Sequence, residues 1–297
     1  MREITLEELL EAGCHFGHQV IRSNPKARDF VFEAREGIQI IDLVKTKEGL
    51  DQAAQFVRDL GKRGGKLLVV STKKQAKQTV EELIKQKRAE INASKKTEGE
   101  NLFYVTQRWI GGTLTNFTEV NKNLKKLDDI KKLLKSEEER AKYTKKELGL
   151  FDKERIRLES FYIGIEGLIK EPDALFIVDS HLEDLAVREA NAREIETVAI
   201  VDTNADPFVI DYPIPANDDA VGSITLIVGQ ILDAFAEGLK DYKTEAEKLK
   251  EQEKAVKTEA KEKTPAKKEE AKTKPVKSKK EPSVRPTQDK KPKKEKK

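Results

Sequence analysis

Apolar residues along the chain fall into two kinds of segment that take turns. Short, nearly unbroken runs stand at Ile38-Gln39-Ile40-Ile41, Leu67-Leu68-Val69-Val70, Leu102-Phe103-Tyr104-Val105, Ala174-Leu175-Phe176-Ile177-Val178 and Val198-Ala199-Ile200-Val201. Runs without polar alternation fit strands covered on both faces. Between them, apolar positions recur at helical spacing. Leu50, Ala53, Ala54, Val57 and Leu60 mark one helix within 46–60. Further helices are expected over 73–89, over 183–192 and over about 217–238, the last behind the capping candidates Asn217, Asp218 and Asp219. Strand and helix in alternation predict an α/β fold, an open parallel sheet with helices on both faces.

One stretch breaks the alternation. From Asn116 to about Ile169 no strand pattern occurs. Val120, Leu124, Leu127, Ile130 and Leu134 form a narrow heptad-like seam, and Leu148, Phe151, Arg155, Leu158 and Tyr162 form a second, flawed at Arg155. The link from about Ser136 to Thr144 is polar. This predicts an antiparallel helical hairpin, a coiled coil over 117–163, inserted into the α/β domain. Helices of about 20 residues would each reach roughly 30 Å. A seam this narrow buries one side only, so the hairpin is expected to project. Its outward faces carry Lys122, Lys125, Lys126, Lys131, Lys132, Lys135, Lys145, Lys146, Arg155 and Arg157, among acids that include Asp128, Asp129 and Glu137 to Glu139. Such an arm is either a solvated helix pair or one laid against a phosphate backbone.

Charge divides the chain near residue 240. Of 297 residues, 58 are Lys or Arg and 54 are Asp or Glu, a net of +4. Residues 241–297 hold 21 of the basic and 12 of the acidic ones, so this segment is +9 and residues 1–240 are −5. The basic segment contains five prolines, no glycine and Tyr242 as its only aromatic. Its first part, to about Ala260, is rich in helix formers and is expected to extend the preceding helix. Beyond Pro265 it has too little apolar surface to offset the entropy of ordering. A lysine-rich tail of this kind binds polyanions nonspecifically or only solubilises. For the acidic body, nucleic-acid binding has to be argued from where the cations sit.

Several chemistries lack their signatures. The one cysteine, Cys14, excludes an internal disulfide framework and a cysteine-cluster zinc finger. No run of eighteen apolar residues occurs, and the N-terminus lacks the pattern of a secretory signal, so a reducing cytoplasm is the expected compartment. Neither GxGxxG after the first strand nor GxxxxGK[ST] is present. Gly111-Gly112, after a strand and Arg108, reads better as a turn that seats Trp109 than as a phosphate cradle. Cys14, His15 and His18, with Asp179, Asp202 or Asp206 at strand ends, make a metal conceivable, yet paired ligands at both ends of a loop are missing. No nucleophile–base arrangement can be assigned. No catalytic residue, cofactor or metal is expected.

Cations do stand where phosphate contacts are favoured. Arg22, Lys26 and Arg28 surround Asn24-Pro25, and Arg108 sits beside Trp109. Lys73 and Lys74 open a helix directly after a strand, where exposed ammonium groups and free amides would face the same phosphate. Together with the hairpin and the tail, they favour a component of a structured-RNA scaffold over an enzyme.

The stretches LLEAGCHFGHQ (9–19), NPKARDFVF (24–32), IQIIDLVKT (38–46), GGKLLVVSTKKQA (64–76), VTQRWIGGTLTNF (105–117), TKKE (144–147), PDALFIVD (172–179), VAIVDTNADP (198–207) and IPANDDA (214–220) resemble, in order, the bacterial small-ribosomal-subunit protein 2 family. The resemblance covers residues 1–238. It implies a three-layer, flavodoxin-like (Rossmann-type) sheet with an inserted helical hairpin. It implies binding to 16S rRNA between head and body, near the mRNA exit side, with support for the docking of small-subunit ribosomal protein 1, and no catalysis. The sequence departs from the family pattern at Cys14, at Phe161-Tyr162-Ile163-Gly164-Ile165, where one glycine of the helix exit is gone, at a longer polar link over 87–100 expected to be an exposed loop, and in the long tail. The alternatives are an off-ribosome RNA-binding or adhesion paralogue and, third, a soluble α/β enzyme.

Overall fold

The structure, a computed structural model, describes residues 2–93 and 101–262. Residues Met1–Lys250 form one compact unit. The chain divides after Lys250, and the described residues beyond it, to Glu262, are helical.

Five strands make a parallel sheet. They are β4 (Leu67–Val70), β5 (Leu102–Val105), β6 (Ala174–Ile177), β7 (Glu196–Val201) and β8 (Tyr212–Pro215), in the order β5-β4-β6-β7-β8. The register is unbroken, with Leu67 opposite Leu102 on one side and Ala174 on the other. Every residue of β4, β5 and β6 is buried, which is why these strands read as solid apolar runs. Alternate side chains join two separate apolar clusters. Leu67, Val69, Phe176, Val198 and Ile200 pack with α2 (Leu43–Lys62), α3 (Lys74–Ala93) and α8 (Val221–Glu262). Leu68, Val70, Leu175, Ile177 and Ala199 pack with α7 (Asp184–Ala192) and with the roots of the helical hairpin.

The expected first strand belongs elsewhere. Ile38–Ile41 (β3) pairs antiparallel with β1 (Phe16–Gln19) and β2 (Val31–Arg35), in a small sheet of order β1-β3-β2. The cause is local. Glu36 and Gly37 both take positive φ, 51° and 80°, and close a two-residue hairpin between β2 and β3. Only Ile41 of β3 is buried. The parallel sheet instead gains β8, a strand with Pro213 and Pro215 that sits at the edge, where missing amides are tolerated.

The helices follow the apolar spacing. A short α1 (Leu6–Glu11) opens with a capping box between Thr5 and Glu8 and buries Leu9. Before α8, the Asn217 side chain accepts the Asp219 and Ala220 amides at 2.8 and 3.1 Å. The stretch Val221–Tyr242 is long and apolar enough to cross a membrane by composition. Ile224, Ile227, Val228, Ile231, Leu232 and Phe235 are nevertheless buried at helical spacing against the sheet, as in a core helix. The helix continues to Glu262, as its composition suggested; the expected disorder beyond Pro265 falls outside the described residues. Residues 87–93, expected in an exposed loop, are the last turns of α3, and 94–100 lie outside the described residues.

The hairpin consists of α4 (Phe117–Lys135), a single turn α5 (Glu137–Arg140) in the polar link, and α6 (Lys145–Tyr162). The link bonds Asn123 Nδ2 to Tyr162 Oη, 3.1 Å, and Lys126 to Glu154, 2.9 Å, run in opposite chain directions, so the pair is antiparallel. Val120, Leu127, Ile130, Leu158 and Tyr162 are its buried seam. Arg155 breaks the seam as the spacing indicated and turns to Asp152 and Glu159, at 2.8 and 2.6 Å. At the exit one glycine suffices. A Cβ on Gly164 would lie 1.9 Å from the Tyr104 carbonyl oxygen, so only glycine lets the chain cross β5 there.

Candidate nucleic-acid interface

The C-terminal ends of the parallel strands gather charge, but of the opposite sign from the one expected. Lys73, just after β4, has a side chain only 13% exposed. Its Nζ lies 2.7 Å from Asp218, 2.7 Å from Asp219 and 3.1 Å from Asp179. The expectation that Lys73 is an exposed phosphate ligand is therefore corrected: three carboxylates already hold it. Burial opposes the charge, yet the hydrogen bonds from Asp218 and Asp219 and the field of Asp179 outweigh it and raise the lysine pKa. Lys74, one residue on, is exposed and makes no ion pair among the described residues.

Around Lys73 the acids outnumber the bases. Burial, followed by the fields of Asp179 and Asp202, pushes Asp218 up to about 7 against the pull of Lys73. His18 Nδ1 lies 3.1 Å from Asp202 Oδ2, and that hydrogen bond raises the imidazole pKa against burial. The His18 amide also donates to Thr203 Oγ1 at 2.9 Å, which ties β1 to the end of β7. His18, Asp218 and Asp219 each offer a ligand atom within 4.8 Å of the others, but the Lys73 ammonium already takes both carboxylates where a divalent cation would sit. The remaining metal candidates do not join them. Asp206 caps a turn at the Phe208 amide and accepts Lys26 at 2.5 Å. Cys14 is buried, which pushes its thiol up, and His15 is lowered by burial.

Other cations of the sequence reading remain open. Arg22, Arg28 and Arg108 are exposed and enter no ion pair among the described residues, whereas Lys26 is taken by Asp206. Lys74 and Arg108 follow the neighbouring strands β4 and β5, and Lys77 joins their exits through Gln107. The Arg22–Arg28 loop is pinned to the end of β7 by the Asn24 amide on the Thr203 carbonyl, 2.7 Å. On the hairpin, Lys122 pairs with Glu119, Lys126 with Glu154, Lys132 with Asp128, and Lys131 with Glu166 and Glu159. Lys125, Lys135, Lys145 and Lys146 are exposed without such partners among the described residues.

One organising residue was not singled out from the sequence. Glu189 of α7 is 6% exposed and accepts from Trp109 Nε1 (3.1 Å) and from the amides of Gly112 (2.8 Å), Leu114 (3.0 Å) and Thr115 (3.2 Å). Burial disfavours its charge, but these donors outweigh it and hold the carboxyl below its usual range. Gly112, at φ +89°, turns the backbone so that its amide reaches the carboxylate. The loop that launches α4 is thus wrapped around one carboxylate. A signal existed: Glu189 stands between Ala186 and Ala190 on the buried face of α7, a position where an acid needs buried donors.

A family model described as ribosomal protein S2 matches residues 9–238. The chain belongs to the ribosomal protein S2 family. Relatives called small ribosomal subunit protein uS2 are 46% identical over 243 residues in Chloroflexus aurantiacus and 46% identical over 244 residues in Chloroflexus aggregans. Each alignment covers 80% of this chain and 94% of the relative. Within this S2-family chain, the strand-end cluster, the Glu189 loop and the hairpin all lie inside the matched span, and the lysine-rich segment lies beyond it.

Proposed function

We propose that the chain is a structural component of the small ribosomal subunit, working in the cytoplasm and holding 16S rRNA without catalysing a reaction. The observation that carries this reading is the family match across the whole α/β body and hairpin, with relatives named as small-subunit proteins aligned over 94% of their length. The open cations Arg22, Arg28, Lys74, Arg108, Lys145 and Lys146 supply contacts that position a phosphate backbone rather than read bases. Lys73 is withdrawn from that set, and Lys26, Lys122, Lys126, Lys131 and Lys132 contribute only if they exchange a carboxylate for a phosphate.

The finer architecture is read in the same way. Numbered among themselves, the parallel strands run 2-1-3-4-5, the order of flavodoxin-like sheets, and apolar clusters on both faces support a three-layer arrangement. The domain reading is one α/β body to about residue 240 with the hairpin at 117–163 projecting from it, followed by the basic tail. Placement between head and body, and support for docking of ribosomal protein 1, complete the reading. Phe16, Ile21 and Phe32, 50%, 95% and 71% exposed on and beside the small sheet, favour a protein neighbour there.

Sedimentation tests it. A tagged chain should travel with small subunits through a high-salt gradient, and subunits lacking the chain should lose ribosomal protein 1. A chain that stays at the top of the gradient would leave the off-ribosome paralogue as the better reading.

A further inference from the structure

The two helices of the hairpin differ in what they show to solvent. On α6, positions 145, 146, 149, 150, 153, 156, 157 and 160 fall on the side opposite Leu158 and Tyr162, and all are exposed. This arc holds Lys145, Lys146, Lys153 and Arg157, with Leu150 and Ile156 between them, and no acid. The acids of the helix lie on its flanks and are engaged: Glu147 by Thr144, Asp152 and Glu159 by Arg155, Glu154 by Lys126 and Arg157. Among the described residues, Lys145, Lys146 and Lys153 have no ion-pair partner. The outer side of α4 is mixed. There Lys122 and Lys132 are neutralised by Glu119 and Asp128, and Asp129 stands exposed beside them.

We propose that the hairpin meets RNA through the outer arc of α6, with α4 turned away from it. The inference rests on the ribosomal reading above and adds which face carries the contact. The occupant follows from charge. A row of Lys145, Lys146 and Lys153, with Arg157 beside them shared with Glu154, on a body of net −5 attracts a polyanion, and elsewhere the body's own field opposes its approach. The arc has no aromatic side chain, so bases are not stacked on it. The cations bind phosphates, and Leu150 and Ile156 lie against the ribose faces between them. At 1.5 Å per residue, Lys145 to Arg157 spans roughly 18 Å, enough for several phosphates of one strand.

Two matched variants of the full-length chain test this. Lys146→Gln with Lys153→Gln alters α6, and Lys125→Gln with Lys135→Gln alters α4. Each removes two unpaired, exposed charges and keeps a good helix former at both positions. Binding to a 16S rRNA transcript is followed by filter retention across a salt titration. The α6 pair is expected to weaken binding roughly five- to tenfold at moderate salt and to flatten the salt slope by about 2. The α4 pair should change affinity by less than about twofold. Equal losses would show that net charge alone matters, and a larger loss from the α4 pair would assign the contact to the other face; either overturns the proposal. Unchanged transcript binding by the α6 pair with poor entry into assembled subunits would assign the arc to a protein neighbour and overturn it as well. If the unaltered chain neither binds the transcript nor joins subunits, the ribosomal reading itself fails. If it does both and only the α6 variant behaves normally, the face assignment fails alone.

Discussion

The parallel sheet and the hairpin hold themselves together by different means. In the sheet, Phe176 and its neighbours are enclosed by apolar layers on both faces, and the charged groups at its rim bond residues far away in sequence, as Lys73 does with Asp179 and Asp218. In the hairpin a seam one residue wide is buried, and most charged groups bond three or four positions away, as Lys132 does with Asp128. Two lysines of equal formal charge thus have unlike tasks. Lys73 is part of the fold, and Lys146 is available to a partner. A substitution should act according to the region, not the residue type.

The contrast can be broken most forcefully in the sheet. Phe176→Ala removes a fully buried ring from β6 and should cost about 3–5 kcal/mol in denaturant unfolding. A loss within the range of an exposed site would contradict the two-sided enclosure. Next comes Lys73→Met, which leaves Asp179, Asp218 and Asp219 without their shared cation and should cost about 3 kcal/mol. Retained stability would mean that the lysine is surface charge after all.

The Glu189 loop joins the two regions, and its loss should be of intermediate size. Glu189→Ala strands four donors, those of Trp109 and Leu114 buried, and should cost about 2–3 kcal/mol, with faster amide exchange at Gly112, Leu114 and Thr115. Glu189→Gln keeps an acceptor and should be milder. Because the folded carboxyl pKa is depressed, this anchor is complete above the unfolded-state value of about 4.3. It is lost as pH falls from there through the lower folded value. Acid titration of the unaltered chain should show that loss, and Glu189→Gln should show less of it; identical acid profiles would count against the anchor.

The hairpin should respond locally. Leu127→Ala in the seam should cost about 2 kcal/mol, with protection lost over 117–162 and kept over 67–70 and 174–177. Uniform loss would show that the arm and the sheet unfold together. Smallest of all, Lys132→Ala on the exposed face should leave the unfolding midpoint unchanged, since an exposed i,i+4 pair adds almost nothing.

How far these regions could be read from sequence follows from the range of the interactions that make them. The solid runs at 67–70, 102–105, 174–177 and 198–201 became strands, and both hairpin seams formed, because burial on two faces or at heptad spacing leaves a local pattern. Ile38–Ile41 pairs outside the parallel sheet, which its apolar run does not reveal because such a run does not name its partner; the Glu36-Gly37 turn does. The strand Tyr212–Pro215 was hidden by its prolines. Lys73 follows β4 as the pattern indicates, but its surroundings are not legible locally, since Asp218 is 145 residues away and only the fold brings it to 2.7 Å. The role of Glu189 is hidden for the same reason, its donors lying 74 to 80 positions earlier.

The prolines of β8 have a consequence for the life of the chain before assembly. The Ala216 amide bonds the Val201 carbonyl, so by alternation the Ile214 amide faces β7 and the nitrogens of Pro213 and Pro215 face the open edge. Those nitrogens carry no hydrogen to donate. The Pro215 carbonyl is already occupied by Thr46 Oγ1 at 2.5 Å, and α2 lies close along the Pro213 carbonyl at Gly49. An exposed sheet edge invites a second copy to add its own strand and begin an aggregate. Here neither the donors nor the acceptors of a new ladder are on offer, so freshly made chains waiting for a binding partner are protected from sticking to one another along this side.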